Sequence, residues 1–429
     1  MVKRNFLTPY GVYLITVVLV LFIMYPLQLF GQGGNPEHIN KIEIKDNLIS
    51  VDLQDADLPD VLKEIEKGTG IKITIAKELV GQKITAQFEN LDVESALKNI
   101  LIGQYYVLIF SQDPMAKDEQ TLKEVKAGGP AIGSKTLKGG ISTIDIPYGS
   151  GKGEVGAFSG PEGSSRGPLS FNVDDEGNIY ICDTVNERIQ IFSTNGIYQS
   201  TIPLKKGTIA TDIAVDKKGF VYILDYTVSK LYQYDKTGEI IATIGVDVSR
   251  WGSVAPMHII NNEIYVYACN SDTCGDFIIG RILFNNKLVG LSVGDPKRFK
   301  EKGKQGLSGK KYMTGLKRFE KGELEIRGKQ RDTEVLSFPL KEIISIKFLG
   351  EDKKGNFYIK TEKAEINEVI VDVHRFNANC EYMCTISMTD SDVYFVPIRE
   401  YLITESGSIY LFLPEKDALR LNIFSAENC

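Results

Sequence analysis

Residues 169–192, LSFNVDDEGNIYICDTVNERIQIF, constrain the fold more than any other stretch of the chain. They read as a strand, a tight turn at Asp175-Glu176-Gly177-Asn178, a strand from Ile179 to Cys182, a second turn, and a strand from Arg188 to Phe192. Three short antiparallel strands with polar turns make most of one small sheet. The pattern returns at 211–235, TDIAVDKKGFVYILDYTVSKLYQYD, and Gly177 and Gly219 stand 42 residues apart. That period is the length of one propeller blade. A lone blade cannot bury both faces of its sheet, so the repetition predicts a ring of such sheets.

Further turns followed by an apolar-Tyr-apolar strand continue the series. Asn261-Asn262-Glu263 precedes Ile264-Tyr265-Val266, Gly355 precedes Phe357-Tyr358-Ile359, and Gly407 precedes Ile409-Tyr410-Leu411. Gly322 before Leu324-Glu325-Ile326 is a weaker sixth. The spacing predicts a mainly β fold, a six-bladed β-propeller over 140–429, with Ile141–Ile146 joining the first blade or closing the ring. The run Val173 to Phe192 resembles the NHL-repeat family, whose six-bladed propellers serve mainly as binding platforms. The resemblance implies that Asp183 and Asn186 hold a turn and that Arg188 partners the acidic residue. The second repeat keeps Gly219 and Asp225 but carries Ser229-Lys230 where Asn-Arg would stand. Gly177 and Gly219 suit the positive φ of a tight hairpin.

The chain of 429 residues is too long for one ordinary domain, and its other features lie at the amino end. Lys3 and Arg4 precede an uncharged apolar run from Tyr10 to Phe30. A positive segment before such a run is an export signature, and the run is also just long enough for a membrane span. Residues 1–34 are therefore read as a signal peptide or an uncleaved anchor, with the rest of the chain on the periplasmic side and one membrane contact at most. Residues 38–112 alternate strands with two amphipathic helices, in the order strand, helix, strand, strand, helix, strand. Asp57 with Pro59 opens the first helix and Asp92 the second. This unit, through Asp57-Leu58-Pro59-Asp60-Val61-Leu62 and Leu91-Asp92-Val93-Glu94-Ser95-Ala96-Leu97, resembles the short amino-terminal domain of secretins and TonB-dependent receptors. The resemblance implies a module that docks onto protein partners in the cell envelope and carries no catalytic residue. Residues 113–139, rich in Gly, Lys and Ser, read as a flexible linker.

Little of this points to chemistry. The net charge is −6, and the one basic run, 297–311, lacks the interleaved aromatic residues of a stacking groove, so it reads as a solvated loop and no nucleic-acid partner is predicted. No phosphate-loop motif is present and no cofactor is predicted. Three histidines, His38, His258 and His374, have no recognisable metal partners in sequence, and the presence of a metal is left open. Asp183, Asp212, Asp225 and His258 are the candidates for a central channel. Arg250 and Trp251, the only tryptophan, are candidates for a binding face together with His258. In an exported protein Cys269 with Cys274, and Cys380 with Cys384, are possible disulfides, while Cys182 reads as a buried apolar residue or a partner for Cys429. The reading is an exported, non-enzymatic binding scaffold. Its alternatives are a metal-dependent propeller lyase or hydrolase, or a structural subunit of an envelope or secretion assembly.

Overall fold

The computed structural model describes residues 39–112, 120–129, 136–137, 141–159, 165–246, 253–269, 274–283, 285–290, 303–317, 321–327, 333–338, 343–365, 369–388 and 394–425. The predicted export segment 1–34 lies outside them, as do Arg250, Trp251 and Cys429. Among the described residues no helix is long and apolar enough to cross a membrane.

The repeat predicted from sequence takes shape as antiparallel meanders. Sheet 1 holds Phe171–Val173, Ile179–Asp183, Arg188–Phe192 and Tyr198–Pro203, and sheet 2 holds Asp212–Val215, Val221–Asp225, Lys230–Tyr234 and Ile240–Gly245. Sheet 3 runs Ser253–Ile260, Glu263–Cys269, Cys274–Ile282 and Leu288–Gly290. Sheet 4 runs Lys304–Gln305, Lys311–Lys317, Lys321–Arg327 and Thr333–Phe338. Sheet 5 runs Ile343–Glu351, Phe357–Ala364, Val369–Phe376 and Tyr382–Met388, joined at its edge by Thr136–Leu137. Sheet 6 has three consecutive strands, Tyr401–Ile403, Ile409–Pro414 and Ala418–Phe424, and takes its fourth, Ile141–Pro147, from before sheet 1. Of the two places offered to Ile141–Ile146, the chain uses the closing one: the first propeller strand is laced into the last sheet.

Apolar faces join neighbouring sheets. Phe171 of sheet 1 stacks on Phe412 of sheet 6 with centroids 5.1 Å apart, inside a cluster that also holds Ile144 and Leu421. Cys182 and Ile189 of sheet 1 pack with Ile213 and Ile223 of sheet 2. Tyr222 and Leu224 pack with Met257 and Val266 of sheet 3. Sheets 4 and 5 meet through Tyr312, Leu324, Phe348 and Phe357, and sheets 5 and 6 through Tyr358, Val373, Leu411 and Phe424. Each fully buried side chain of this size contributes about 1.5–3 kcal/mol. Among the described residues no apolar cluster spans sheets 3 and 4. There the contacts are polar: Asp276 N–H donates to Gly303 O at 3.1 Å, and Gln305 N–H donates to the Asp276 carboxylate.

The small α/β unit packs helices α1 (Leu58–Thr69) and α2 (Val93–Ile100) against strands Lys41–Lys45, Leu48–Asp57 and Lys83–Asp92. Asp57 caps α1, Gly70 ends it at φ +73°, and Asp92 accepts from Ser95 N–H at the start of α2. Its remaining strands do not stay within the unit. Tyr106–Gln112 pairs with Thr333–Phe338, the outer strand of sheet 4, and the order continues through Gln120–Ala127 to Lys72–Ile75, making one seven-stranded sheet. The segment read as a flexible linker, 113–139, therefore contains a strand. Lys123, Glu124 and Lys126 mask the alternation in sequence, whereas Val125 and Ala127 are buried in the core.

Two further expectations are corrected. Cys380 is a free buried thiol while Cys384 is disulfide-bonded, so these two do not pair; Cys182 is likewise free and buried, which excludes its pairing with Cys429. Cys380 sits at φ +64°, at the turn position that glycine takes elsewhere, and burial pushes its thiol well above the usual range. The ladder of sheet 3 sets Cys269 opposite Cys274, whose side chains lie outside the description.

Candidate functional site

The turn between the first two strands of sheets 1, 2 and 5 follows one rule. Asp174 accepts from Glu176 N–H and Asn178 N–H, and its second oxygen accepts from Tyr180 Oη at 3.1 Å. Asp216 does the same with Lys218, Phe220 and Tyr222, and Asp352 with Lys354, Asn356 and Tyr358. The spacing is Asp-x-x-Gly-x-x-Tyr, with Gly177, Gly219 and Gly355 at φ of 80–85°. The tyrosine of the apolar-Tyr-apolar strand thus holds its own turn, besides packing between sheets. Sheet 3 uses Asn261 and Asn262 at φ 51° and 63°, the two left-handed residues of a two-residue hairpin.

Sheet 4 departs from this rule. Its turn is Gly306-Leu307-Ser308-Gly309 before Tyr312, not the one expected at Gly322, which lies on the third strand. Gly306 stands where the aspartate should be. The carboxylate comes from sheet 5: Glu351 accepts from Tyr312 Oη at 3.0 Å, Ser308 N–H at 2.8 Å and Ser308 Oγ at 2.9 Å. A side chain at 306 would collide with Glu351 Oε2. The basic run read as a solvated loop thus supplies, at 304–305, the first strand of this sheet.

All these turns and the first strands of all six sheets line one cavity of about 1390 Å³. Its mouth is crossed by Lys217 Nζ to Glu405 at 2.8 Å and by Lys218 Nζ to Asn286 at 2.7 Å. Arg399 lies inside, 3% exposed, and its Nη2 donates to both Asp212 oxygens at 3.0–3.1 Å, to Ile213 O at 3.1 Å and to Met257 O. Asp212 also accepts from Ser170 Oγ and Met257 N–H. This pair ties sheets 1, 2, 3 and 6 together, and Arg399 Nε remains buried without a partner.

At the polar seam between sheets 3 and 4, His258 Nε2 lies 3.1 Å from Asp276 Oδ2, and the imidazole stacks on Tyr265. Asp276 Oδ1 is buried and unpartnered. Lys304 donates to Leu349 O at 2.6 Å and its ammonium is 5.7 Å from the Phe348 ring centroid. Burial pulls it down to about 8; nearby Asp276 opposes the shift, and Lys347 and Arg399 reinforce it. Lys304 is half-buried and lines the cavity. Lys347 is also lowered, by desolvation first and by Lys360 second.

The sequence candidates divide accordingly. His258 is brought to the cavity wall, and Asp212 is buried behind it, bonded to the cavity-lining Arg399. Asp183 is completely buried and takes hydrogen bonds from Arg188 Nε at 2.7 Å, Asn186 Nδ2 at 2.8 Å and Gly156 N–H at 2.7 Å. Asp225 accepts from Ile209 N–H and Thr227 N–H. Both are turn supports away from the cavity wall. Sequence reasoning missed Lys304, Lys347, Asp276, Glu351 and Arg399, which share no repeat position. The available signal was the break at Gly306, a glycine where the repeat wants a carboxylate. Among the described residues no three His, Cys, Asp or Glu side chains converge to hold a metal ion.

A family model described as a 6-bladed beta-propeller matches residues 172–295. No curated protein matches the chain. Among solved structures, a catalytically inactive virginiamycin B lyase from Staphylococcus aureus with quinupristin is similar at 12% identity and a TM-score of 0.37, over 66% of this chain and 99% of that one. A protein from Bacteroides vulgatus is similar at 13% identity and a TM-score of 0.39, over 66% and 97% of the two chains. A gluconolactonase from Xanthomonas campestris is similar at 11% identity and a TM-score of 0.33, over 58% and 82%. The family match and the repeated four-stranded sheets make the fold propeller-like and mainly β.

Proposed function

We propose that the chain is an exported, non-enzymatic binding scaffold. It is a six-bladed, NHL-like propeller that recognises its ligand at the turn-lined end of the central cavity. The secretin-like α/β unit docks onto a protein partner in the cell envelope, and the amino-terminal segment, anchor or signal, sets the periplasmic location. The observation that supports this reading best is the cavity itself: about 1390 Å³, framed by the first strands of all six sheets and polar at its mouth. The seven-stranded sheet supports the second half, because it continues sheet 4 into the α/β unit.

The test fills the cavity without touching the small unit. Thr314→Trp, on a cavity-lining residue of sheet 4, is compared with the parent protein in affinity capture from envelope fractions and in thermal-shift screening of envelope-derived peptides and glycans. Loss of one saturable ligand in Thr314→Trp is the expected result, and identical capture and shifts in both proteins would remove the cavity from the proposal. The His258–Asp276 contact favours one other reading, an enzyme using that pair for acid–base work. It predicts turnover by the parent protein that His258→Gln abolishes while ligand binding persists.

A further inference from the structure

We infer that the end of sheets 1 and 2 opposite the cavity mouth rests on an anionic lipid surface. Phe158, Val185, Ile209 and Val228 enter the headgroup boundary there, and the lysines between them meet lipid phosphates. The inference is independent of what the cavity binds, and it turns the mouth away from the membrane.

In an antiparallel meander, the turn between the second and third strands emerges at the end away from the first turn, as does the connection into the next sheet. In sheets 1 and 2 that end holds residues 184–187, 204–211 and 226–229. Hydrogen bonds make one surface of them. Thr184 Oγ1 donates to Ala210 O at 3.2 Å and Gly207 N–H to Glu187 Oε1 at 3.2 Å, while Ile209 N–H and Val228 N–H both donate to Asp225, at 2.9 and 3.4 Å. Residues 149–156 lie over the same end, through Gly156 N–H to Asp183 and through Arg188 to Ser150 O and Gly151 O. Phe158, Val185, Ile209 and Val228 remain 41–52% exposed. They stand on separate turns and not in one groove, which suits a fluid surface better than a shape-complementary protein.

Charge selects the kind of surface. Among the described residues this end carries Lys152, Arg166, Lys205, Lys206 and Lys230 against Glu154 and Glu187. Both carboxylates are already engaged by main-chain donors, Glu187 by Gly207 N–H and Glu154 by Gly151 N–H at 2.7 Å. Arg166 pairs with Phe158 in a short ladder, so a cation and an apolar ring stand side by side. The mouth turns of the same two sheets reverse the balance: Asp174, Asp175, Glu176, Asp216, Asp235 and Glu239 outnumber Lys217, Lys218 and Lys236. In a chain of net charge −6, the end with the apolar tips is thus the one drawn to anionic lipid. Where the run Tyr10–Phe30 stays as an anchor, residues 31–38 reach at most about 30 Å, so the body stays close to the bilayer.

The test places the full chain in nanodiscs of phosphatidylcholine alone and of equal parts phosphatidylcholine and phosphatidylglycerol, and follows hydrogen exchange by mass spectrometry. Exchange over 205–209 and 226–229 should slow about threefold or more in the anionic discs and return to the phosphatidylcholine rate at high salt. Lys205→Glu combined with Lys206→Glu should remove that slowing, and Ile209→Ser combined with Val228→Ser should remove about half of it or more. Lys236→Glu, at a mouth turn, should leave it intact. Circular dichroism checks each variant, and the salt response of the parent protein decides if a variant fails to fold. Equal exchange in the two discs, slowing that survives the lysine reversal, or slowing at 174–177 in place of 205–209 overturns the inference. Slowing that appears only when envelope proteins are added gives the face to a protein partner and overturns it as well. Loss of the lipid contact with cavity-dependent ligand capture intact would remove the membrane face alone. Lipid contact with capture indifferent to Thr314→Trp would support the membrane face and remove the recognition reading alone.

Discussion

A single tyrosine hydroxyl shows how the repeat is held. Tyr222 is fully buried, donates to Asp216 at 3.0 Å and is reached by Gln233 Nε2 at 3.0 Å. Burial and the Asp216 charge push its ionisation far up, so it remains a donor at every physiological pH. Tyr222→Phe keeps the packing and leaves Asp216 short of one charge-assisted bond. A loss of about 1.5–3 kcal/mol in urea unfolding is expected, and Phe at the partly exposed Tyr226, which follows the strand, should cost less. His374 gives a pH signature at the same scale. It is enclosed between Thr361 and Thr385, each 2.8 Å from a ring nitrogen, and burial lowers it to about 4. The unfolded chain takes up a proton as pH falls through 6.5, and the folded chain does so only near 4. Stability contributed by this group is therefore complete above 6.5 and is lost on acidification across that window, by about 3 kcal/mol. Denaturation midpoints at pH 7, 5.5 and 4.5 should fall less steeply in His374→Gln than in the parent.

At the scale of elements, the junction between the small unit and sheet 4 decides how the molecule moves. Leu108 pairs with Val335 in the middle of the seven-stranded sheet. Tyr105 donates to Cys380 O and stacks on Phe376, so the same junction also grips sheet 5. Val335→Pro removes a ladder donor and leaves its partner carbonyl unpaired. Hydrogen exchange in Tyr106–Gln112 should then accelerate about tenfold or more, together with Thr333–Phe338, while Ile179–Asp183 in sheet 1 keeps its protection. Unchanged exchange in the small unit would mean that the shared sheet does not couple the two. In sequence, the helices were legible because Asp57, Gly70 and Asp92 carry local capping chemistry. The shared sheet was not: Gln120–Ala127 alternates too weakly for its pairing to be read, and the partner of Tyr106–Gln112 lies more than two hundred residues away.

For the molecule as a whole, Arg399 and Asp212 act as an internal tie, both nearly inaccessible and 3.0 Å apart. Arg399→Met leaves a buried carboxylate uncompensated and should cost about 3–5 kcal/mol. Adding Asp212→Asn should restore part of that loss, and the double-mutant comparison measures the coupling between sheets. Equal destabilisation by the single and double changes would show that packing, not charge pairing, holds the arrangement.

What the chain settled by itself was whatever a few consecutive residues can enforce: hairpins at Gly177, Gly219, Gly355 and Gly407, the two-asparagine turn of sheet 3, and the caps of the two helices. Those signals are local because turn geometry and capping bonds are satisfied within six residues. Tertiary structure alone decided the rest. It replaced the missing aspartate at Gly306 with Glu351 from another sheet, laced Ile141–Pro147 into the last meander, and set Lys304 near His258 and Asp276 at the seam with no apolar filling. Charge compensation acts through space, and a polar group's partner is set by the fold's closure rather than by its distance along the chain.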